Sequence, residues 1–223
     1  MNTAEAIDTS AIHRRLAGHF ADGWETRYVR GKLRIDPLYI AAEQVFRDNR
    51  LPLLDIGCGM GLLGMYLDEH GQRRDYLGVD NDPRKIASAT AIVARHYPNM
   101  RFMQADAGSL PEFAGNVALL DALHYMPYPL QATVLEAAAA RVAPGGILMI
   151  RNCLRDRSWR YHATMLEEKI LHWTGWMRAS GHRFPSREEI VGPLQGHGLS
   201  VELSPLWGRT PYNSYLVVAR RAR

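Results

Sequence analysis

The chain has 223 residues, of which 47% are hydrophobic, and its formal net charge is +4. It is long enough to bury a core and suits a single α/β domain. No apolar run approaches the ~18 residues of a membrane span, and the first 20 residues lack the apolar stretch of a signal peptide. Two cysteines, Cys58 and Cys153, cannot make a disulfide framework, so we expect a cytoplasmic protein in a reducing compartment.

From Leu51 onward, short apolar runs alternate with helical patterns, which is typical of βαβ units and a parallel sheet. The apolar runs predict strands at Leu51–Ile56, Tyr76–Val79, Met100–Gln104, Val117–Leu120 and Ile147–Arg151. The segments between them predict helices near Leu62–His70, Pro83–Tyr97 and Leu130–Val142. Pro83 suits a first helical position, where its missing N–H costs nothing.

The C-terminal part has a different pattern. Ser186 and Glu189 have the spacing of a capping box, so a helix should begin there and end near Gly196. Two strands, about Leu199–Leu203 and Ser214–Ala219, come after this helix. The loop between them is too short for a crossover helix, so the two strands should be antiparallel.

Two segments lie outside the alternating core, residues 1–50 and 152–185, and we predict a helical lid segment for each. With the core at 51–151 and the last helix and hairpin at 186–223, they would form a single domain over residues 1–223. In the second segment five side chains recur at helical spacing: Trp159, His162, Leu166, Ile170 and Trp173. Core packing is the expected role of such a stripe, although both segments could fold over the carboxyl edge of the sheet.

Part of the positive charge is concentrated near the start of the chain. Six basic residues fall close together there: Arg14, Arg15, Arg27, Arg30, Lys32 and Arg34. They form either a solvated basic surface or a site for an anionic partner, such as nucleic acid, an acidic carrier protein or an anionic substrate group. Charge alone does not choose between these interpretations.

The most informative stretch runs from Leu53 to Gly64, where an apolar strand enters a glycine-rich turn and then a helix. Glycines there permit a sharp turn and the close approach of a ligand to the backbone, although a merely tight turn has the same composition. Residues 59–64 also satisfy G-x-G-x-x-G, the dinucleotide fingerprint, which makes a nicotinamide-dependent enzyme the first alternative. The register argues against it, because the glycines begin at Gly57, directly after Asp55-Ile56.

The stretch Asp55-Ile56-Gly57-Cys58-Gly59-Met60-Gly61 resembles motif I of the class I S-adenosylmethionine-dependent methyltransferases. Four further landmarks come after it in order: Gly78-Val79-Asp80-Asn81, Gln104-Ala105-Asp106-Ala107, Val117 to His124, and Arg141 to Gly146. The resemblance covers roughly Leu51 to Cys153. It implies an α/β fold with a Rossmann-like, doubly wound, mostly parallel seven-stranded sheet, helices on both faces, and an antiparallel C-terminal hairpin that closes the sheet.

The same resemblance implies S-adenosyl-L-methionine as cofactor and S-adenosyl-L-homocysteine as its product. The glycine turn would pass beneath the methionine part, Asp80 would bind both ribose hydroxyls, Asp106 the adenine amino group, and the amide of Ala107 an adenine ring nitrogen. The residues expected to bind the cofactor are Asp55, Gly57, Cys58, Gly59, Asp80, Asn81, Asp106, Ala107 and Asp121. No Cys/His pairing has zinc-like spacing, so no metal is expected.

Methyl transfer to a hydroxyl or an aromatic carbon requires a base, and histidine is the usual candidate. His124 is the first choice because it comes after the fourth predicted strand, close to the expected methyl position. It could equally be a wall of the cofactor pocket. His162 is a second candidate, and His182 another, both from the predicted lid insertion.

The residues after the fourth strand narrow the substrate class. Asp121-Ala122-Leu123-His124 differs from the Asn/Asp-Pro-Pro-aromatic signature of enzymes that methylate base amines, and neither cysteine comes after a proline as in cytosine-C5 enzymes. A small-molecule or carrier-bound substrate therefore remains, nucleic acid is disfavoured, and an RNA methyltransferase stays as an alternative on net charge alone. Oligomeric state is open, a homodimer included.

A fainter resemblance lies in residues 27–39, which are similar to the start of methyltransferases from bacterial aryl-polyene, xanthomonadin-like pigment pathways. It implies secondary metabolite biosynthesis, with an aromatic acyl substrate bound to an acyl carrier protein. Since such carriers are acidic, the basic cluster would suit them. Tyr28 and Arg30, with Trp159 from the lid insertion, are the predicted substrate residues.

Overall fold

The computed structural model describes residues 8–20, 23–173, 183–208 and 210–223, and for 167–173 only the course of the backbone. The helices are α1 Thr9–Gly18, α2 Gly23–Ile35, α3 Leu38–Phe46, α4 Leu62–Glu69, α5 Pro83–His96, α6 Tyr128–Ala140, α7 Trp159–Trp173 and α8 Arg187–Gly196. The strands are β1 Leu53–Ile56, β2 Tyr76–Asp80, β3 Met100–Gln104, β4 Asn116–Leu120, β5 Ile147–Cys153, β6 Ser200–Pro205 and β7 Ser214–Arg220. His182, one of the predicted bases, lies outside the described residues.

The seven strands form one sheet in the order β3-β2-β1-β4-β5-β7-β6. Strands β1 to β5 pair in parallel, whereas β7 pairs antiparallel with both β5 and β6. The predicted sheet and its closing hairpin are confirmed. Strand order reverses between β1 and β4, and open α/β sheets bind their ligands at the carboxyl edge of such a switch point.

Side chains alternate along the strands and supply two cores, one on each face of the sheet. On one face α1 to α5 pack together, with Leu16, Phe46 and Met65 among the fully buried residues. On the other face α6 and α8 cover the sheet, with Leu135 and Leu194 inside. Helices therefore lie on both faces, as the fold class required, and the N-terminal helices contribute to the main core.

Local signals in the sequence set several helix ends. The capping box forms as predicted, since the Glu189 amide donates to Ser186 Oγ at 3.3 Å and the Ser186 amide donates to Glu189 Oε2 at 2.7 Å. Pro83 is the first residue of α5. The first strand begins at Leu53 rather than at Leu51, because Pro52 has no N–H to give to the ladder.

The three described side chains of the α7 stripe do not pack in the core. Trp159 and Leu166 are 66% and 61% exposed, and His162 is exposed as well. The helix is instead held through its opposite side, where the hydroxyl of buried Thr164 accepts the amide of Asn213 at 3.0 Å. The expectation of core packing is therefore wrong for these three side chains, whereas Ile170 and Trp173 of the stripe lie beyond the side chains that the structure describes.

Candidate active site at the carboxyl edge of the sheet

The glycine turn lies where β1 ends at the centre of the sheet. The amides of Gly57 and Cys58 donate to the Val79 carbonyl at 2.7 and 3.0 Å, which ties the turn to the end of β2. Gly57 has a φ of +74°, and a Cβ there would lie 2.7 Å from Cβ of Ala122. The turn after β1 and the turn after β4 therefore touch, and only glycine fits at that contact.

Asp80 closes β2 beside this turn. Its Oδ2 accepts the amide of Gly59 at 2.9 Å, and its Oδ1 accepts the amide of Asp82 at 2.9 Å. A carboxylate offers about four acceptor positions, so each oxygen retains capacity for a further donor. Gly59 has a φ of +56°, and no described heavy atom outside its chain neighbours lies within 4 Å of the position of a Cβ. The structure thus leaves open space directly beside a carboxylate with unused acceptors.

The third acidic motif lies next along the edge. The amide of Ala105 donates to the Asp80 carbonyl at 3.2 Å, so the segment after β3 runs beside the end of β2. Asp106 is exposed, and its Oδ1 accepts the amide of Gly108 at 2.9 Å. Asn81 is exposed as well, and its carbonyl accepts from Gln104 at 3.5 Å. The structure therefore brings the predicted adenosine-binding residues to one edge.

Asp55 is buried beneath the turn, and Cys58 is partly buried within it. Asp55 Oδ2 accepts the Tyr76 hydroxyl at 2.6 Å, and burial raises the pKa of this carboxyl to about 7, against the lowering influence of that hydrogen bond. Burial also raises the pKa of the Cys58 thiol well above its usual range, so the thiol stays protonated. In the described protein both residues support the turn.

Asp121, the predicted acid at the end of β4, belongs to an ion-pair cluster that the sequence reasoning missed. Arg151 of β5 donates from Nε to Asp121 Oδ1 at 2.7 Å and makes a second contact with Asp121 through Nη2. Its Nη1 and Nη2 also donate to the two carboxylate oxygens of Asp36, at 2.6 and 2.9 Å. Burial favours the neutral acid, but the cations of Arg151 and Lys32 outweigh it and hold the pKa of Asp121 below its usual value. Since Asp36 comes directly after α2, this cluster fastens the N-terminal helices to the site.

The backbone of Asp121 is strained, with a φ of +56° in the left-handed region. Among the residues that the structure describes, Asp121 is the one non-glycine residue with a positive φ. Such backbone strain persists where contacts with the surrounding structure hold the residue in place. The bidentate contact with Arg151 supplies that constraint. An arginine within the apolar run of β5 was the available sequence signal, because a charge buried there needs compensating polar partners.

His124 is 5% exposed and sits between β4 and β5, with its ring stacked on Phe184 at 4.9 Å between centroids. Its Nδ1 lies 2.9 Å from Asn152 Oδ1, while Asn152 Nδ2 donates to the Cys153 carbonyl at 2.7 Å. The second bond fixes the amide so that its oxygen faces the imidazole. His124 Nδ1 therefore carries the proton, and Nε2 is left with its lone pair in the neutral ring.

The remaining predicted residues lie on α7 and α2. His162 is exposed on α7, with its ring 5.7 Å from that of Tyr161. Trp159, at the start of the same helix, has Arg160 over its ring at 4.8 Å. On α2, Tyr28 is 42% exposed and stacks on Trp24 at 5.4 Å, and Arg30 is exposed. Among the described residues no three His, Cys, Asp or Glu side chains are grouped to hold a metal ion.

Comparison with known proteins agrees with this geometry. Residues 53–146 match the family described as a methyltransferase domain. The chain is 25% identical over 210 residues to the ubiquinone biosynthesis O-methyltransferase of Sinorhizobium fredii, covering 87% of this chain and 84% of that one.

Two solved structures share the fold at low sequence identity. Magnesium protoporphyrin IX methyltransferase from Synechocystis PCC 6803, with bound S-adenosyl-L-homocysteine, matches with a TM-score of 0.66 at 19% identity, over 97% of this chain and 96% of that one. An O-methyltransferase family protein from Burkholderia thailandensis matches with a TM-score of 0.66 at 20% identity, over 95% of this chain. The match covers 64% of that second structure, so this chain spans about two thirds of its length.

The ordered motifs, the seven-stranded sheet and the match of residues 53–146 to a methyltransferase domain identify the activity class, a class I S-adenosylmethionine-dependent methyltransferase. Its methyl donor is S-adenosyl-L-methionine, which decides against the nicotinamide enzyme that the G-x-G-x-x-G match allowed. The residues fit this cofactor, since Gly59 leaves room beside the turn and Asp80 has acceptors for two ribose hydroxyls. In the described part of the chain no helix combines the length and the apolar character needed to cross a membrane.

Proposed function

We propose that this enzyme methylates a hydroxyl oxygen of an aromatic substrate, either a small molecule or a group carried by an acyl carrier protein. The relatives named as ubiquinone biosynthesis O-methyltransferases support oxygen as the acceptor, at 25% identity over most of the chain. The aryl-polyene resemblance of residues 27–39 supports an aromatic, carrier-bound substrate and remains a prediction.

The observation that best supports methylation of an oxygen is the fixed tautomer of His124. A phenolic hydroxyl is a poor nucleophile until its proton is removed, and a neutral imidazole with a free lone pair is suited to remove it. Asn152 accepts from Nδ1 and thereby directs the basic lone pair to Nε2. The rings of Phe184 and Tyr125, with centroids 4.9 and 4.1 Å from the imidazole, hold its plane.

When bound, S-adenosyl-L-methionine supplies an electrophilic methyl group on a sulfonium. The protein contributes alignment, which is the larger part of such a transfer. In this proposal Asp80 and Asp106 hold the adenosine end, the turn at Gly57 and Gly59 lies under the methionine end, and His124 Nε2 takes the hydroxyl proton.

The test is transfer of labelled methyl from S-adenosyl-L-methionine to a panel of hydroxylated and aminated benzoic acids, by wild type and His124→Ala. We expect methyl ethers, with turnover reduced about 100-fold or more in the variant and little change in the affinity for S-adenosyl-L-homocysteine. Asn152→Leu should reproduce part of the loss, because it frees the tautomer while leaving the imidazole. Unchanged turnover in His124→Ala would remove this residue as the base.

The carrier-bound substrate is supported by the outer surface of α2. Arg27, Arg30 and Arg34 lie along its exposed face, and none of them has an ion-pair partner among the described residues. Arg30 and Arg34, with Gly31 and Ile35, line a groove of about 470 Å³. Two uncompensated cations at a groove, with a third beside them on the same helix, suit an acidic protein surface. Asp36, directly after this helix, contacts Arg151 of the ion-pair cluster at the site.

One residue of the basic cluster predicted from the sequence has a partner on the helix itself. Lys32 is half-buried and its ammonium donates to the Tyr28 hydroxyl at 3.4 Å, whereas Arg27, Arg30 and Arg34 are exposed. The charge-reversal test therefore uses Arg30→Glu with Arg34→Glu, and Arg95→Glu on exposed α5 serves as the matched control. The substrates compared are a hydroxybenzoyl group on an acidic acyl carrier protein and the same free acid.

We expect the double variant to raise KM for the carrier-bound substrate at least about tenfold at low salt, less at high salt, with the free acid unaffected. Arg95→Glu should behave as wild type. A wild-type KM of the double variant for the carrier-bound substrate would exclude docking of the carrier protein on α2. Methyl label recovered in RNA from a whole lysate, with Asp80→Ala as the negative control, would favour the RNA alternative instead.

A further inference from the structure

Gln131 is a polar side chain on the buried face of α6, near the segment that carries His124. It is 3% exposed, and its Nε2 donates to two carbonyl oxygens, those of Met126 at 3.1 Å and Arg183 at 2.9 Å. A glutamine amide has two N–H groups, so both are used. The oxygen Oε1 is buried without a hydrogen-bond partner among the described residues. Because an unsatisfied buried acceptor destabilises a fold, packing alone does not explain a glutamine at this position.

The two carbonyls belong to the segment that carries His124 and to the segment that carries the ring stacked on it. Met126 comes directly after the short 3-10 helix that holds His124. Arg183 directly precedes Phe184, whose ring stacks on the imidazole with the centroids 4.9 Å apart and the planes at 27°. Gln131 therefore joins the imidazole and its stacking partner by one hydrogen bond to each segment.

The segment 183–185 is also held from a second side, by Arg155 after β5. The amide of Arg155 donates to the Pro185 carbonyl at 2.9 Å, and its Nε donates to the Phe184 carbonyl at 3.3 Å. Phe184 is buried, and the ring of Tyr161 from α7 meets it nearly at a right angle, with the centroids 6.2 Å apart. These contacts fix Phe184 over one face of the imidazole.

We propose that Gln131 is a positioning residue for methyl transfer and acts through His124. By joining the two segments it keeps the imidazole against Asn152 and keeps water from the face covered by Phe184. The lone pair of Nε2 is then held in one direction, and such alignment of a reacting group supplies much of the rate of a transfer reaction. The inference rests on the proposed role of His124 as the base, whereas the held imidazole that it requires is observable without any substrate.

The test compares wild type with Gln131→Met, which keeps the length of the side chain but removes both donors. Phe184→Leu is a second variant, because it removes the stacked ring and leaves α6 unchanged. Arg141→Met is the matched control, since Arg141 at the other end of α6 also donates to backbone carbonyls, those of Pro111 and Leu110 at 2.7 Å each. Thermal denaturation sets a temperature at which all variants are folded.

Two readouts are taken at that temperature. The first is the proton NMR signal of the His124 Nδ1–H, assigned by its absence in His124→Ala. The second is kcat and KM for a hydroxybenzoic acid that wild type methylates. We expect Gln131→Met and Phe184→Leu to lose the signal through exchange with water and to lower kcat about 10- to 100-fold. The KM and the affinity for S-adenosyl-L-homocysteine should stay within about 2-fold of wild type.

Arg141→Met should keep both the signal and the turnover, even where its melting temperature falls. An equal loss in Arg141→Met and Gln131→Met would show that Gln131 only supports the fold, and a wild-type signal and kcat in Gln131→Met would refute the positioning role. Full turnover in His124→Ala would refute the proposed base and this inference with it. Full turnover in Gln131→Met alone would refute the inference and leave the base in place.

Discussion

Three glycines of this chain share a left-handed backbone but differ in the atoms that a methyl group would meet. A Cβ at Gly57 would lie 2.7 Å from Cβ of Ala122, whereas Cβ atoms at Gly59 and Gly71 would have no described heavy atom within 4 Å beyond their chain neighbours. Gly71 lies just after α4 with a φ of +70°, and Gly59 opens toward the cofactor site with a φ of +56°. Alanine at each position therefore separates backbone strain, protein packing and ligand packing.

The magnitudes can be worked out from these distances. Left-handed backbone costs a non-glycine residue roughly 1–2 kcal/mol, of which about 0.4–1 kcal/mol is returned by the stiffer unfolded chain. Gly71→Ala and Gly59→Ala should therefore each lower the free energy of unfolding by about 1 kcal/mol. Gly57→Ala adds an overlap that must push the turn after β4, at roughly 1–3 kcal/mol more.

The assay is urea denaturation of the three variants and then titration with S-adenosyl-L-homocysteine. Gly59→Ala should match Gly71→Ala in stability yet lose at least about tenfold in affinity, because its methyl group occupies space beside Asp80. Gly71→Ala should bind as wild type does. Wild-type affinity in Gly59→Ala would refute the assignment of that space to the cofactor, and equal stability of Gly57→Ala and Gly71→Ala would refute the packing argument.

Three further outcomes are expected from buried charges. Arg151→Met should lower the free energy of unfolding by roughly 3–5 kcal/mol in urea melts because it leaves two carboxylates unpaired. Arg84→Met, which breaks an exposed ion pair, should leave the melting curve unchanged. Identical melting curves for the two variants would contradict this. Burial raises the pKa of Asp55 from 3.8 to about 7, so the folded state keeps a proton that the unfolded state releases, and stability falls as pH rises through that interval. Asp55→Asn should flatten this dependence of stability on pH in melts between pH 4 and about 8. An unchanged dependence would exclude Asp55 as the group responsible. Burial, and secondly the adjacent His96, lowers the pKa of His19 below 6.5. The contribution of His19 to the stability of the fold is therefore present above pH 6.5 and lost as pH falls. His19→Gln should reduce this acid lability, measured as a smaller drop in melting temperature at acid pH.

Much of the architecture is determined by local sequence. Short apolar runs predicted β3 with both ends correct and the other strands within two residues. The central strands β1, β4 and β5 are largely buried on both faces, and such strands read as near-continuous apolar runs. The capping box at Ser186 and the proline at the start of α5 act within one helical turn, so their effect does not depend on the rest of the fold. The glycine turn and Asp80 are likewise close in sequence to the strands that position them.

The sequence could not determine which side chains meet across the sheet. Arg151 and Asp36 are separated by 115 positions, and their contact depends on how the N-terminal helices return over the carboxyl edge. The exposure of Trp159, His162 and Leu166 on α7 is decided in the same way, since helical periodicity shows which residues share a face but not what that face meets.

The role of His124 likewise depends partly on local sequence and partly on tertiary structure. The sequence placed His124 after the fourth strand, and the motifs identified the cofactor, because both depend on a short stretch of chain around each strand end. The tautomer of its imidazole depends on Asn152, which is 28 positions away on the neighbouring strand and is itself oriented by its hydrogen bond to the Cys153 carbonyl. Sequence thus determined the cofactor-binding framework, whereas the tertiary structure alone decided the partners of its buried charges, because long-range pairing sets the environment in which a titratable group acts.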